Sequence, residues 1–314
     1  MALDPIVRGL LDLMATLNAP AFETLTPEEA RKVLFTQPGE PEPCARVENR
    51  TVPGPHGDVP VRVYTPVGEP PFPVLVYAHG GGWVIGDLES HDSLCRSLTN
   101  AAGCVTVAVD YGLAPEHKFP APVEECYAAT AYVASHADEF GADASRVAIG
   151  GDSAGGNIAA AVALIARERG GPAIVAQSLI YPVTNFDFTT DSYRDNASGY
   201  FLTAATMRWF WGHYLRDASD GAHEYASPLR AADCSALPPA LVITAEYDPL
   251  RDEGEAYAAR LRDAGVETVL HRYDGMTHGF VGMAALVPQG RVAIDEVAAF
   301  LRRTFAAQPA AANG

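Results

Sequence analysis

A serine lies in a glycine-rich turn between a short apolar run and an alanine-rich stretch with helical spacing. The turn reads GDSAGG at 151–156. A side chain pushed out of a tight strand-to-helix turn has an unfavourable φ, and its backbone crowds the positions two residues before and after it. Gly151 and Gly155 occupy these positions and lack the Cβ that would clash. Free N–H groups at the start of the next helix favour developing negative charge. The pattern predicts a nucleophilic Ser153 and acyl-transfer chemistry.

A serine hydroxyl becomes a good nucleophile only when a base takes its proton and a third group holds that base. Asp248 lies just beyond the apolar run 241–244, and His278 lies just beyond the run 268–271. The order serine, acid, histidine, with each residue after a strand, is the order that accompanies this kind of serine turn. Asp252 is the alternative acid, but it lies inside the following helical turn. We therefore predict His278 as the base and Asp248 as its partner.

A second glycine-rich stretch, HGGGW at 79–83, directly follows the apolar run 74–77. Its glycines let backbone N–H groups turn toward a substrate oxygen, and the residue after the nucleophile supplies another donor. The predicted oxyanion donors are Gly81, Gly82 and Ala154. A glycine-rich loop can also cradle phosphate, but neither GxGxxG nor GK[ST] spacing is present. No histidine has metal-ligand spacing with its neighbours. The sequence predicts no metal and no cofactor.

The elements around these residues predict an α/β fold with a mainly parallel, eight-stranded sheet flanked by helices. The segments 46–52 and 59–64 alternate with a period of two, which indicates an antiparallel hairpin at a sheet edge. Short apolar runs then alternate mostly with helical stretches, as in a sheet covered on both faces. The runs are 74–77, 104–109, 147–150, 174–180, 241–244 and 268–271, and the helices are 89–102, 121–138, 154–169, 253–264 and 284–305.

Two stretches lie outside this alternation. Apolar residues at helical spacing predict an amphipathic helix over 3–17, and Thr26 with Pro27 predicts a second helix that runs to about Leu34. The first helix could be a membrane-surface anchor, but its polar face is not basic. Nearly sixty residues rich in aromatic side chains follow Tyr181 before the next strand. A connection of that length is usually functional or forms an additional helical layer. We predict that both stretches pack together over the pocket that holds the serine.

Composition limits the possible partners and compartment. The 314 residues carry a net charge of −17, which repels phosphate backbones and anionic lipids, so we predict neither a nucleic-acid nor a membrane partner. The five cysteines are odd in number and never form CxxC, which favours free thiols in a reducing compartment. No signal-peptide pattern or membrane-spanning apolar run is visible. A cytoplasmic monomer or homodimer is the expectation.

Several motifs in order resemble the bacterial hormone-sensitive-lipase-like carboxylesterases, also called family IV. They are HGGGW, YGLAPEHKFP, GDSAGGN, YDPLRDEG and HGF, and the resemblance covers essentially the whole chain. It implies an α/β-hydrolase fold with a helical cap and cofactor-free hydrolysis of short to medium acyl esters. The catalytic roles would fall on Ser153, Asp248 and His278. One departure is Gly112, where the family commonly has arginine, and we expect it to affect local stability or loop rigidity.

The resemblance also implies a division of the chain. Residues 1–45 would form the N-terminal part of the cap, 46–184 the first part of the core, 185–232 the cap insertion and 233–314 the second part of the core. We predict that four aromatic side chains contact a small-molecule ester: Trp83, Phe201, Trp209 and Phe280. The same triad would serve an amidase or a lactonase. A non-catalytic small-molecule receptor could share the fold, but a complete triad disfavours it.

Overall fold

Short runs rich in β-branched residues form one sheet. The computed structural model describes residues 2–17, 20–33 and 40–308. The strands of this part are β1 (Arg46–Gly54), β2 (Gly57–Thr65), β3 (Phe72–Ala78), β4 (Val105–Val109), β5 (Ala142–Asp152), β6 (Ala176–Ile180), β7 (Ala240–Tyr247) and β8 (Thr268–Thr277). Their order is β1-β2-β4-β3-β5-β6-β7-β8. The strand pairs β1–β2 and β2–β4 are antiparallel and the others are parallel. The predicted mainly parallel, eight-stranded sheet with a hairpin at one edge is confirmed.

Helices cover both faces of the sheet. Over the described ranges they are α1 (Pro5–Leu17), α2 (Pro27–Ala30), α3 (Asp92–Ala102), α4 (Ala121–Ser135), α5 (Ala154–Arg169), α6 (Asp191–Asp195), α7 (Ala204–Tyr214), α8 (Arg251–Asp263) and α9 (Pro288–Ala306). One buried apolar cluster joins the sheet to α4, α5 and α8, and the other joins it to α3 and α9. The five helices predicted between and after the central strands are all present. None of the helices described here is both long and apolar enough to cross a bilayer.

The N-terminal helix packs on the body of the protein by only part of its apolar face. Leu3 and Val7 are buried in the cluster that also contains α9, and the Asp4 N–H donates to the Gly275 carbonyl at 3.0 Å. The outer residues Leu13 and Leu17 are exposed. The predicted amphipathic helix is therefore present, but its second half leaves apolar surface open to solvent.

The second helix starts where the sequence predicts. The Glu29 N–H donates to the Thr26 hydroxyl at 3.3 Å, and the Thr26 N–H donates to the Glu29 carboxylate at 2.9 Å, which is a reciprocal capping box. The helix ends at Ala30, earlier than predicted, and Leu34 lies outside the described residues.

Arg31, directly after α2, joins the N-terminal segment to the loops of the sheet. Its guanidinium donates to the carbonyls of Val84 and Ala114, both at 2.8 Å, and pairs with Glu116 at 2.6 Å. Because both carbonyls are part-buried, removal of the guanidinium leaves them without these donors.

Arg31→Ala is expected to lower the free energy of unfolding by about 2 kcal/mol, because two charged hydrogen bonds to part-buried carbonyls are lost. Chemical denaturation followed by tryptophan fluorescence measures this change. Lys32→Ala is the matched control, since Lys32 pairs with exposed Glu28 on the same segment and its removal should give no measurable change. Equal stability of the two variants would contradict the anchoring role of Arg31.

Candidate active site

The serine turn has the strained geometry that its glycines allow. Ser153 separates β5 from α5 and has φ 56° and ψ −119°. A Cβ on Gly151 would lie 2.4 Å from the Gly155 carbonyl oxygen, and a Cβ on Gly155 would lie 2.0 Å from the Ala78 carbonyl oxygen. No side chain fits at either position, so the turn requires both glycines. The serine therefore projects from a tight strand-to-helix turn, with only 7% of its surface exposed.

The structure brings Ser153, His278 and Asp248 into one hydrogen-bonded row. The Ser153 Oγ lies 2.9 Å from His278 Nε2, and His278 Nδ1 lies 2.7 Å from Asp248 Oδ2. Asp248 directly follows β7 and His278 directly follows β8, so the two side chains meet at the carboxyl edge of the sheet. The Asp248 carboxylate is fully buried, and its other oxygen accepts the Leu250 N–H at 2.9 Å. These contacts hold the imidazole with Nε2 facing the serine.

Asp252 has different partners. Its carboxylate accepts the Ser192 N–H at 2.7 Å and the Arg251 Nε–H at 2.8 Å. Ser192 Oγ donates in turn to the Pro249 carbonyl at 2.6 Å. Asp252 thus fixes α6 to the loop after Asp248 and does not face the histidine. The geometry supports the prediction that Asp248, and not Asp252, is the acid.

Three backbone N–H groups stand free beside the serine turn. Gly81 has φ +117° and Gly82 has φ +58°, both in the left-handed region that favours glycine. In the described part of the chain, the N–H groups of Gly81, Gly82 and Ala154 have no hydrogen-bond acceptor. Free donors of this kind suit an oxygen that gains negative charge.

A family model described as the alpha/beta hydrolase fold matches residues 75–282, which is more than half of the chain. The chain belongs to the α/β-hydrolase family. Together with curated relatives that are carboxylesterases, this match places it in the hormone-sensitive-lipase-like group, family IV, which confirms the resemblance of its motifs.

Similar proteins support this placement. The carboxylesterase NlhH of Mycobacterium tuberculosis is 41% identical over 309 residues, with 96% of each chain covered. An arylesterase of Saccharolobus solfataricus is 36% identical and covers 90% of this chain and 93% of its own. Among solved structures, a hyperthermophilic esterase from Pyrobaculum calidifontis has a TM-score of 0.92 at 44% identity, with 96% and 99% coverage. An ester hydrolase from the metagenome of Lake Arreo, complexed with a bipyridine phosphonate derivative, has a TM-score of 0.93 at 43% identity, with 97% and 99% coverage.

The four aromatic residues predicted to contact substrate fall into two groups in this α/β-hydrolase. Trp83 and Phe280 have no accessible surface; Trp83 stacks on Tyr214 at 4.1 Å between ring centroids. Both side chains therefore pack in the core, and direct substrate contact was the wrong expectation for them. Phe201 and Trp209 are half-buried, and for these two the contact stays a prediction.

Tyr181, which packs beside His278, was not predicted from the sequence. The Tyr181 ring packs on the His278 ring at 4.6 Å between centroids, and Tyr181 has φ 35°. A positive φ in a bulky residue marks a backbone that its surroundings hold in place. The sequence feature that could have identified Tyr181 is its position directly after β6, at the same sheet edge as Ser153.

The described residues of this α/β-hydrolase contain no group of three or more His, Cys, Asp or Glu side chains able to hold a metal ion. All five cysteines are free thiols, and four of them are buried.

Gly155→Ala is expected to destabilise the hydrolase by about 3 kcal/mol or more, because the new Cβ overlaps the Ala78 carbonyl. Gly212→Ala is the matched control: Gly212 also lies in a helix, but a Cβ there meets nothing within 4 Å. That variant should gain about 1 kcal/mol from helix propensity. Thermal unfolding of both proteins provides the comparison, and a Gly155→Ala protein as stable as wild type would contradict the close approach of the two backbones.

Proposed function

We propose that the protein is a serine carboxylesterase that hydrolyses esters with short to medium acyl chains through an acyl-enzyme intermediate. The single observation that carries the proposal is the row from Ser153 Oγ to His278 to Asp248, with contacts of 2.9 and 2.7 Å, next to three free N–H groups. The esterases among its relatives and structural neighbours place the chain among the carboxylic ester hydrolases.

In the first half-reaction, His278 Nε2 accepts the hydroxyl proton of Ser153 while Oγ bonds to the ester carbonyl carbon. The carbonyl oxygen takes the electron pair as an oxyanion and receives hydrogen bonds from the N–H groups of Gly81, Gly82 and Ala154. Asp248 stabilises the imidazolium without taking its proton. Collapse of the tetrahedral intermediate breaks the bond to the alkoxy oxygen, and His278 returns the proton to the departing alcohol.

In the second half-reaction, water takes the place of the alcohol. His278 accepts a proton from the water as its oxygen attacks the acyl-serine, and the same three N–H groups hold the second oxyanion. Release of the acid returns the proton to Ser153 Oγ.

We further propose that residues 1–45 and 185–232 form a cap over a core made of 46–184 and 233–314. The insertion packs directly on the glycine-rich loop, because a Cβ on Gly82 would lie 2.2 Å from the Phe210 ring. The N-terminal segment packs on the same helix, since Phe22 lies 6.4 Å from Phe210 between centroids and Thr206 Oγ1 donates to Glu23 at 2.8 Å. A cap that stays packed in this way would limit the room for the acyl chain.

Asp248→Asn is expected to lower kcat by about 10⁴-fold, because the imidazole loses the acceptor that fixes its tautomer. Asp252→Asn should keep kcat within about threefold, since Asp252 holds α6 and does not face His278. Ser153→Ala sets the baseline and should lose at least about 10⁴-fold. Turnover of p-nitrophenyl butyrate by the three purified variants tests the assignment. If Asp252→Asn lowered kcat more than Asp248→Asn, the acid that holds His278 would be Asp252. An active Ser153→Ala protein would refute the mechanism.

A series of p-nitrophenyl esters from acetate to palmitate tests the acyl-chain proposal. We expect kcat/KM to peak between butyrate and octanoate and to fall by about tenfold or more at palmitate, because the cap closes the far end of the acyl site. Amide and lactone controls with the same acyl groups should turn over more slowly than the esters. A rate jump on emulsified long-chain triglyceride would count against a permanently packed cap, and preference for the amide or lactone would change the reaction class.

A further inference from the structure

The residue before the nucleophile, Asp152, has a buried carboxylate with three partners from three other segments. Its Oδ1 accepts the Tyr77 hydroxyl at 2.9 Å and the Gly80 N–H at 3.0 Å, and it lies 3.2 Å from His91 Nε2. Tyr77 belongs to β3, Gly80 to the glycine-rich loop and His91 to the segment that precedes α3. The carboxylate thus joins the serine turn to the loop that carries the other two proposed oxyanion donors.

The glycine-rich loop is tightly packed at Gly80. A Cβ on Gly80 would lie 2.3 Å from Asp152 Oδ2, so the carboxylate lies directly against the Gly80 backbone. The Tyr111 hydroxyl donates to the His79 carbonyl at 2.7 Å, and the His79 ring stacks on the Tyr111 ring at 4.3 Å between centroids. The donors Gly81 and Gly82 follow Gly80 in the chain. Their distance from Ala154 therefore depends on the contact between Asp152 and Gly80.

We propose that the ion pair of Asp152 and His91 is a positioning device that holds the Gly80–Gly82 loop against the serine turn, and that loss of the His91 charge at alkaline pH loosens this loop. The proposal rests on the proposed esterase function, because it assigns the loop N–H groups to the oxyanion. Neither residue touches the substrate; both act through the backbone of Gly80.

Two hydrogen-bond arrangements compete at the Gly80 N–H. The group lies 3.0 Å from Asp152 Oδ1 and 3.2 Å from His91 Nε2. A protonated Nε2 can only donate, so it binds the carboxylate and leaves Gly80 to Asp152. A neutral imidazole with Nε2 unprotonated becomes an acceptor that draws the Gly80 N–H away from Asp152. The Ser90 hydroxyl, 3.0 Å from Nδ1, serves as a partner in either state.

The charges around the pair favour its ionised form. Burial lowers the pKa of His91, but the charge and hydrogen bond of Asp152 outweigh burial and hold that pKa above its ordinary value. Burial raises the pKa of Asp152, but the charge and hydrogen bond of His91 and the Tyr77 hydroxyl outweigh it and lower that pKa. Asp87 adds a second negative charge that favours protonated His91.

The other titratable groups that face the pair are neutral. Burial lowers the pKa of His79 to about 4, so this ring carries no charge at neutral pH. Burial raises the pKa of each remaining neighbour well above neutrality: Tyr77, Cys95, Tyr111 and Tyr181. Among these groups, His91 is therefore the one whose charge changes in the neutral to alkaline range.

The sign of the pH dependence follows from the raised pKa of His91. The contribution of the ion pair is complete below the unfolded-state pKa of histidine and disappears as the pH rises through the higher folded-state value. The depressed pKa of Asp152 keeps its carboxylate charged across this range. The pair thus predicts an alkaline decrease in kcat, with little change in KM, because the oxyanion exists only after the substrate has bound.

His91→Gln, His91→Leu and Asp152→Asn test the proposal through kcat and KM on p-nitrophenyl butyrate from pH 5 to pH 10. The Gln amide reaches the position of Nε2 and donates to Asp152 at every pH, so the alkaline decrease in kcat should disappear in His91→Gln. At pH 7, kcat of His91→Gln should exceed kcat of His91→Leu by about tenfold. Asp152→Asn removes the charge that keeps His91 protonated, so the alkaline limb should move to lower pH. His271→Gln is the matched control, because His271 pairs with Glu296 at 2.8 Å on the surface and should leave the profile unchanged.

A thionoester analogue adds a readout that a purely structural role would not change. Sulfur accepts hydrogen bonds more weakly than oxygen, so displacement of the loop should reduce kcat for the oxygen ester more than kcat for the thionoester. The ratio of kcat for the oxygen ester to kcat for the thionoester should therefore fall in His91→Leu and Asp152→Asn. A His91→Gln protein that keeps the wild-type alkaline limb would overturn the proposal, even if Asp152→Asn fails to fold. An active Ser153→Ala protein would instead overturn the proposed function, so the two failures are distinguishable.

Discussion

The end of β3 packs against the serine turn with no room for a side chain between them. The Ala78 carbonyl oxygen would lie only 2.0 Å from a Cβ on Gly155 and 2.5 Å from a Cβ on Gly151, so neither Cβ would fit. This contact brings the glycine-rich loop after β3 to the start of α5, where Ala154 has its free N–H. The proposed nucleophile and the donors that would hold its oxyanion are therefore adjacent because the two backbones are in contact.

The buried carboxylates around this contact have different hydrogen-bond partners. Asp248 faces His278, and Asp152 faces His91, so each has a cationic or hydrogen-donating partner. Glu253 is also buried and accepts the N–H groups of Thr184 and Asn185, at 2.7 and 3.1 Å. Burial raises the pKa of Glu253 well above its ordinary range. Its hydrogen bonds to Thr184 and Asn185 hold the chain where the insertion begins.

Local sequence pattern predicted the sheet, the covering helices and the order of serine, acid and histidine, because periodicity and turn glycines act over a few residues. It could not predict which aromatic rings are buried, since residue type does not fix the direction of a side chain; Trp83 and Phe280 show this. Contacts between distant segments were also invisible, as with His91 and Asp152. At Gly112, the N–H donates to buried Glu125 at 2.6 Å and the ring of His117 fills the space above it. The departure from the family motif thus leaves a packed contact in place of a gap.

The segments proposed as the cap are attached to the same loops that carry the proposed chemistry. Arg31 binds the Val84 carbonyl, just beyond the oxyanion loop, and Phe210 packs on Gly82. Asn196 Nδ2 donates to the Asp248 carbonyl at 3.3 Å, and Ser192 Oγ donates to the carbonyl of Pro249, the next residue, at 2.6 Å. A displacement of the cap therefore changes the positions of the donors and of the acid as well as the shape of the pocket. In the proposed mechanism, substrate selection and transition-state stabilisation would therefore depend on the same anchoring residues.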